Sequence, residues 1–380
     1  MYMKAFRLAI FLLMPFIVRP EAAGQDMIQP QWVTAVAQDM SPDFKNTPAF
    51  RLPKMVVCSN GDIVIGCEAK EFANRGRASF HALSISTDGG MTFKAKRSEV
   101  PVHELVYDAI NDRILSYYGK TFYASDDHGN TWYDYKSVIN TRLPQGFDEV
   151  SMSPTSGIQL RNGILAIPLR AIKHDRDNNG NKKVSIEKEV VFVLYSKDFG
   201  KNWYQSPWTD ENIIADEVVI VEYADNQIML NARGGTEFSW EKTNNGRRVF
   251  IPIIKSKSDI DKWEVKGWKR EKRSDGQIYD PICHASIIKT KINGKTVALL
   301  CNPDMPGEYW PRKNLVIRAS KDFKRWKKAV QLTPDGYPVL GYSALASYKD
   351  NIYFLYEDES KGIQFCNLNA YKDIINKTII

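Results

Sequence analysis

A chain of 380 residues with 43% hydrophobic and 26% charged side chains, 23 Gly and 18 Pro has the composition of an ordinary folded protein, which excludes disorder, a collagen-like repeat and a miniature scaffold. Aromatic residues reach 12%, with nine Trp and eighteen Tyr, and short Ile/Val runs recur, which favours β structure over a helical bundle. The formal net charge of +7 is spread along the chain with no separate Lys/Arg tail, so nucleic acid is not indicated as a partner, whereas a small anionic ligand is compatible.

At the N-terminus Lys4 and Arg7 precede an apolar stretch from Leu8 to Val18, and the small residues Ala22, Ala23 and Gly24 follow. This pattern reads as a signal peptide over residues 1–24, which makes the mature chain 25–380 secreted or periplasmic. Pro15 interrupts the stretch, which is too short to cross ~30 Å of hydrocarbon, and no later segment approaches the ~20 apolar residues that a span needs. No integral membrane segment is expected after its removal.

Strand-length apolar runs follow at 62–67, 163–168, 190–195, 218–221, 227–230, 296–301, 315–317 and 352–356, separated by turn signals such as Asn60-Gly61, Asn162-Gly163, Asp225-Asn226 and Asn293-Gly294. A succession of hairpins with no domain-sized linker predicts one all-β domain. The single helical pattern is C-terminal, where Leu368, Tyr371, Ile374 and Ile375 fall on one face. Five cysteines occur in no CxxC or Cys/His spacing, so no zinc site is implied, and buried free thiols are expected. Cys58 and Cys67 flank the Asn60-Gly61 turn, and a hairpin register pairing Cys58 with Ile63 keeps the two thiols apart. Asp175 to Gly180 matches half of a calcium loop, but the twelfth position is Ile186 where a bidentate Glu is needed. Neither a metal nor a cofactor is expected.

An internal repeat decides the architecture. STDGGMTF at 86–93, SDDHGNTW at 125–132 and SKDFGKNW at 196–203 share the form S-x-D-x-G-x-[TN]-[WF], with weaker copies at 256–263 and 320–326. In such a turn the Asp caps backbone amides, the Gly takes a positive-φ position and the aromatic ring packs beneath. Repeats of this size suit blades arranged radially. They resemble the Asp-boxes of sialidases and of several unrelated β-propellers.

A second series narrows the resemblance. Phe50-Arg51-Leu52-Pro53 is similar to the F/Y-R-I-P motif of the sialidase family, and Ser156-Gly157-Ile158-Gln159-Leu160-Arg161-Asn162-Gly163 resembles its S/H-G-I-Q-L-x-N-G strand. Asp216-Glu217 with Leu230-Asn231-Ala232-Arg233, then Asp280-Pro281-Ile282-Cys283 to Ile288, then Arg312 to Arg318, and finally Gly341-Tyr342-Ser343 with Tyr356-Glu357 continue it in order. The resemblance spans residues 50 to about 366 and implies a six-bladed β-propeller with Asp-box hairpins and a short C-terminal helix. It also implies an exo-α-sialidase that hydrolyses terminal α-linked sialic acid with retention, acting as a monomer on sialylated or related keto-sugar-acid glycans.

By the same resemblance Arg51, Arg233 and Arg312 form the triad that grips the substrate carboxylate, Glu357 orients the first of them, Tyr342 is the nucleophile and Glu217 its base. These residue types suit the chemistry. Planar guanidinium forks match a carboxylate. A neutral phenol can approach an anomeric carbon that carries a negative group, but with a pKa of roughly 10 it needs a base in reach.

One segment departs from the family pattern. Lys70 stands where a further substrate-binding Arg is usual, and the position of the Asp general acid falls on Arg75, beside Asn74; Glu71 and His81 are the substitutes that the loop offers. Three readings follow: a sialidase with a relocated acid, a hydrolase of another 2-keto sugar acid such as Kdn or Kdo, and a catalytically weak lectin. Persistence of Tyr342 and Glu217 favours an enzyme, because carboxylate binding needs neither.

Overall fold

The computed structural model describes residues 29–37, 49–70, 80–234, 246–272, 278–305 and 311–379. The expected signal peptide and the positions Glu71, Asn74 and Arg75 lie outside these residues.

Strand β1 (Val33–Val36) is followed by hairpin-linked strands that form six sheets. The first holds β2 (Ala49–Val57), β3 (Ile63–Lys70), β4 (Phe80–Ser86) and β5 (Lys94–Arg97), and the second holds β6 (Glu104–Asp108), β7 (Arg113–Tyr118), β8 (Thr121–Ser125) and β9 (Tyr133–Tyr135). The third is six-stranded. It is built on the long hairpin of β13 (Leu165–Arg176) and β14 (Lys182–Ser196), with β10 (Val138–Asn140), β11 (Glu149–Met152), β12 (Ile158–Gln159) and β15 (Asn202–Gln205) around them. The fourth comprises β16 (Val218–Ala224), β17 (Gln227–Ala232), β18 (Arg248–Ile254) and β19 (Val265–Arg270), and the fifth β20 (Ser286–Ile292), β21 (Lys295–Pro303), β22 (Leu315–Ser320) and β23 (Lys327–Gln331). In the last, β24 (Ser343–Tyr348), β25 (Asn351–Asp358) and β26 (Gly362–Asn367) are completed by β1, which pairs antiparallel with β26. The two ends of the fold are thus stitched into one sheet.

The inner strands β2, β6, β12, β16, β20 and β24 touch in that order, and β24 returns to β2. This is a β-propeller. Its core is divided into wedges between neighbouring sheets, one for example joining Ile65 and Cys67 to Leu355 and Phe365, and another joining Leu115 and Phe122 to Ile167 and Phe192. A middle strand packed on both faces must be apolar at successive positions, which is why β3 and β21 read as continuous hydrophobic runs without period-2 alternation.

The repeated turns behave as their sequence predicts. In the second copy Ser125 Oγ accepts the Gly129 N–H at 2.7 Å, Asp127 accepts the Thr131 N–H at 2.8 Å, and the Trp132 indole donates to the Gly129 carbonyl at 3.1 Å. Gly129 sits at φ +89, and a Cβ there would meet Val64 at 3.1 Å, so both conformation and contact call for glycine. All five cysteines are free and buried. The first hairpin is registered one residue differently from expectation: Ile63 pairs with Val57, while Cys58 donates its N–H to the Asp62 carbonyl.

The C-terminal helix α1 (Lys372–Ile379) starts later than the apolar pattern suggested, after a 3₁₀ turn at Asn369–Tyr371. Leu368, Tyr371 and Ile375 are buried, but Ile374 is exposed and Ile379 takes its place. A 3₁₀ turn advances about 120° per residue against about 100° in an α-helix, so the face rotates across the junction.

Candidate active site

The side chains singled out from sequence converge where the inner strands begin. Glu217 directly precedes β16 and Arg233 directly follows β17, and their backbones are joined by an N–H of Arg233 to the carbonyl of Glu217 at 2.9 Å. Tyr342 directly precedes β24 and is linked likewise to Glu357 on β25, whose N–H donates to the Tyr342 carbonyl at 3.0 Å. Two hairpins therefore deliver two functional pairs.

Tyr342 is the centre. Its phenol donates a short hydrogen bond to Glu217 Oε1, and Arg233 Nη1 lies 3.5 Å from the phenol oxygen and 3.0 Å from Glu217 Oε2. The guanidinium carbons of Arg51 and Arg312 stand 5.4 and 5.5 Å from the centroid of the Tyr342 ring. All three arginines thus surround one phenol, although they are distant along the chain. Burial, reinforced by the charge of Glu217, pushes the Tyr342 phenol well above its ordinary value, so it rests neutral. Burial would also favour neutral Glu217, but Arg233 and Arg170 outweigh it and, with the phenol hydrogen bond, hold its carboxyl down at about 2. The arrangement is a protonated phenol bonded to an ionised carboxylate, ready to move one proton when the phenol oxygen acts.

Arg51 is held from behind. Its Nε meets Glu357 Oε2 at 3.0 Å, and the other oxygen of Glu357 accepts the Leu52 N–H at 2.5 Å. Leu52 has φ 56, unusual for a branched side chain, within the bulge between Arg51 and Lys54; the completely buried Glu357 secures that kink and the arginine together. Burial opposes the charge on Arg51, yet Glu357 and Tyr342 leave its pKa raised. Arg312 is braced by two carbonyls, with Nη1 donating to Leu340 at 2.9 Å and Nη2 donating to Ile282.

Lys70 ends β3, opposite Ala49 and two residues beyond the Glu68 that faces Arg51. Its ammonium meets Glu68 Oε2 at 2.9 Å, and Glu68 in turn receives His103 Nε2 at 2.5 Å and faces the fully buried Lys54 at 3.7 Å. His103 Nδ1 reaches Glu104 at 2.7 Å. His81, opposite Glu68 on the next strand, packs edge-on against His103 and Tyr118. Burial is the main cause that brings His81 down to about 4, so at neutral pH it carries no acidic imidazolium proton.

Several members of the site were not singled out by sequence. Asp216 receives Arg233 Nη2 at 2.7 Å and also Arg170, which bonds Glu189 at 2.9 Å. With three carboxylates around two guanidiniums, burial and mutual repulsion raise Asp216 and bring Glu189 up to about 8. For Arg170 the available signal was a charge inside the apolar run from Leu165 to Ile172, since an unpaired buried charge is too costly to occur there without a partner. His284 is buried and stacks on the Tyr342 ring, and the buried Arg247 donates to the carbonyl of Cys283 beside it.

Gly341 fixes the approach of Tyr342 to Arg312. Its φ is +99, and a Cβ would stand 2.8 Å from both Arg312 Cδ and Cys283 Sγ. Gly341→Ala is therefore expected to displace Arg312 and Tyr342 together, lowering activity by ~10²-fold or more and costing about 1–3 kcal/mol of stability. Wild-type kinetics in that variant would contradict this account.

The profile of the BNR repeat-like domain matches residues 109–354. A sialidase of Bacteroides fragilis (strain YCH46) is 27% identical over 258 residues, covering 66% of this chain and 41% of its own length. A sialidase of Clostridium perfringens is 24% identical over 335 residues, covering 80% of this chain and 72% of that protein. The chain thus spans about two fifths of the Bacteroides relative. Among solved structures, Hadza microbial sialidase Hz136 superposes with a TM-score of 0.62 at 19% identity, over 84% of this chain and 65% of that one. The Trypanosoma rangeli sialidase in complex with sialic acid gives a TM-score of 0.62 at 16% identity, over 87% of this chain and 55% of its own; at these identities the likeness is one of fold.

Proposed function

The chain belongs to the BNR repeat-like family, of bacterial sialidase type, and from that premise we propose that it is a retaining exo-α-sialidase whose Tyr342 attacks the anomeric carbon of a terminal sialic acid. One observation carries this reading: the Tyr342 phenol is bonded to the ionised Glu217 and ringed by Arg51, Arg233 and Arg312. A sialic acid brings a carboxylate on the reacting carbon, which the arginines would clamp. In the first step the phenol oxygen bonds to that carbon, its proton passes to Glu217, and the glycosidic oxygen leaves as an anion that takes a proton from solvent. In the second, water bonds to the carbon and releases one proton to solvent, while the tyrosyl oxygen leaves and recovers its proton from Glu217. Two inversions give net retention. Electrostatics explains the choice of nucleophile: an anionic side chain would be repelled by the substrate carboxylate, whereas a neutral phenol is not.

The remaining expectations join the proposal. We count the six-stranded sheet as one blade of six, and take the mature protein as a secreted or periplasmic monomer acting on sialylated glycans. A 2-keto sugar acid such as Kdn or Kdo is the second reading, favoured by Lys70 being engaged with Glu68, which alters the wall available to the rest of the sugar. The test of the main reading is hydrolysis of an aryl α-sialoside with the anomer of the released sugar followed by NMR, together with inactivation by 2,3-difluorosialic acid, the compound bound as a covalent intermediate in the Trypanosoma rangeli sialidase. Binding with no turnover and no covalent adduct would leave a lectin.

Leaving-group dependence is expected because His81, the one acid candidate among the described residues, is neutral. Since a positioned acid is worth about 10²–10⁴-fold, kcat/KM for an aryl sialoside should exceed that for a sugar-linked sialoside by a factor in this range. Equal values would reveal an effective acid. The low value for Glu217 sets a second expectation: a base whose carboxyl lies at about 2 stays ionised as pH falls from about 7 to about 5, so kcat/KM on the aryl substrate should change by less than about twofold over that interval. A tenfold fall across it would show that a group of the site titrates there and contradict the low value for Glu217.

A further inference from the structure

The floor under the phenol holds a ring that the proposed chemistry does not use. His284, two residues before β20, is 1% exposed, and its imidazole stacks on the Tyr342 ring with centroids 5.3 Å apart and planes 29° from parallel. Neither of its nitrogens has a hydrogen-bond partner among the described residues, so its contact with Tyr342 is made by the ring face. Burial brings the imidazole down to about 3, with Arg247, Lys54 and Arg233 acting in the same direction and Glu217 against them; the ring is neutral at working pH.

The backbone that carries this ring is unusually well secured. Asp280 accepts the Cys283 N–H at 3.2 Å through one oxygen and the Gly234 N–H at 2.6 Å through the other. The buried Arg247 donates to the Cys283 carbonyl at 2.8 Å and to the Asn231 carbonyl at 3.1 Å. Arg312 donates to the Ile282 carbonyl, and Ile282 has φ 53. Nearby, the Ser286 and Ser343 hydroxyls meet at 3.0 Å and tie the start of β20 to the start of β24. Rotation of Tyr342 about its broad terminal torsion leaves the phenol oxygen in place, because that oxygen lies on the axis, but it turns the in-plane O–H and the lone pair used for attack, so a fixed neighbour packed on the ring face sets their direction.

We propose that His284 is a positioning residue for the nucleophile assigned above: a locked ring whose face stops Tyr342 from tilting and fixes its plane, so that the in-plane phenol O–H points at Glu217. This rests on the sialidase reading, because only attack by the phenol makes its plane matter. Attack needs the phenol oxygen ~3–3.5 Å from the anomeric carbon with its lone pair aligned on it, and loss of that near-attack geometry can cost about 10²-fold. The arginines that would bind the carboxylate do not depend on the imidazole, so the effect should fall on the rate and spare affinity.

The test compares His284→Phe, which keeps a flat face, with His284→Leu, which keeps bulk without one. In the leucine variant kcat on an aryl sialoside and the rate of covalent trapping by 2,3-difluorosialic acid should both fall about 10- to 100-fold, while KM and the Kd for free N-acetylneuraminic acid stay within about threefold. In the phenylalanine variant both rates should stay within about threefold of the parent. Thermal melting and sugar-acid binding check that each variant is folded, and His284→Met replaces the leucine variant if that one is not. Full rates without a flat ring, or equal losses in the Phe and Leu variants, would overturn the proposal. A parent protein that is neither active nor trapped would instead sink the sialidase reading on which the proposal rests.

Discussion

Tyr342→Phe should reduce hydrolysis of an aryl α-sialoside by at least ~10³-fold and abolish trapping by 2,3-difluorosialic acid, with the protein still folded and still binding the free sugar acid. The size of the loss follows from removing the atom that forms the covalent bond, which no neighbour can replace. The fold should tolerate the change. The ring keeps its place on His284 and near Arg51 and Arg312, while Glu217 retains Arg233 at 3.0 Å; one hydrogen bond to a charged group is lost, at about 1.5–3 kcal/mol. Affinity for N-acetylneuraminic acid is assigned to the guanidiniums and should change by less than about tenfold. Glu217→Gln provides the companion measurement, since an amide cannot take the phenol proton: its rate should drop about 10²–10⁴-fold. Unchanged hydrolysis in the phenylalanine variant would remove the proposed nucleophile, and with it the reason for a base at Glu217.

Much of this site was legible in the sequence because its parts obey separate local rules. Ser125, Asp127, Gly129 and Trp132 form a self-contained turn whose hydrogen bonds stay within the repeat itself, so the pattern carries the conformation with it. Arg51, Glu217, Arg233, Arg312, Tyr342 and Glu357 were identified by motif resemblance, and their convergence follows from the ring of inner strands. What escaped has at most a weak local signal. Asp216 and Arg170 matter only because distant strands bring them into one buried ion network, and His284 reads in sequence as one more residue beside an apolar strand. Lys70 shows a different limit: its position in the motif series was plain, and the structure adds a partner that the series did not name, the carboxylate of Glu68 two residues earlier on the same face of β3. Motif spacing places a backbone, and neighbouring charges decide where a flexible side chain ends.

The second large effect is expected at Arg312. Alanine there should weaken binding of free N-acetylneuraminic acid by about 2–4 kcal/mol, a factor of roughly 30 to 10³ in Kd, because a charge-assisted contact in a partly desolvated site disappears. The loss has a structural share as well. Arg312 Nη1 and Nη2 donate to the carbonyls of Leu340 and Ile282, and Ile282 is β-branched with φ 53, a conformation that costs about 1–3 kcal/mol and needs its surroundings to hold it. Removing the guanidinium frees that segment, which also carries His284 against Tyr342, so kcat should fall along with affinity. Arg312→Lys separates the two contributions. A lysine preserves the positive charge but presents no planar fork, so it cannot brace two carbonyls and face a carboxylate as well. It should recover part of the affinity, leaving Kd about tenfold weaker than the parent, while kcat remains close to that of the alanine variant. If lysine restores kcat and affinity alike, charge alone is sufficient and the bracing of Ile282 is incidental; if alanine leaves Kd unaltered, Arg312 does not hold the sugar carboxylate.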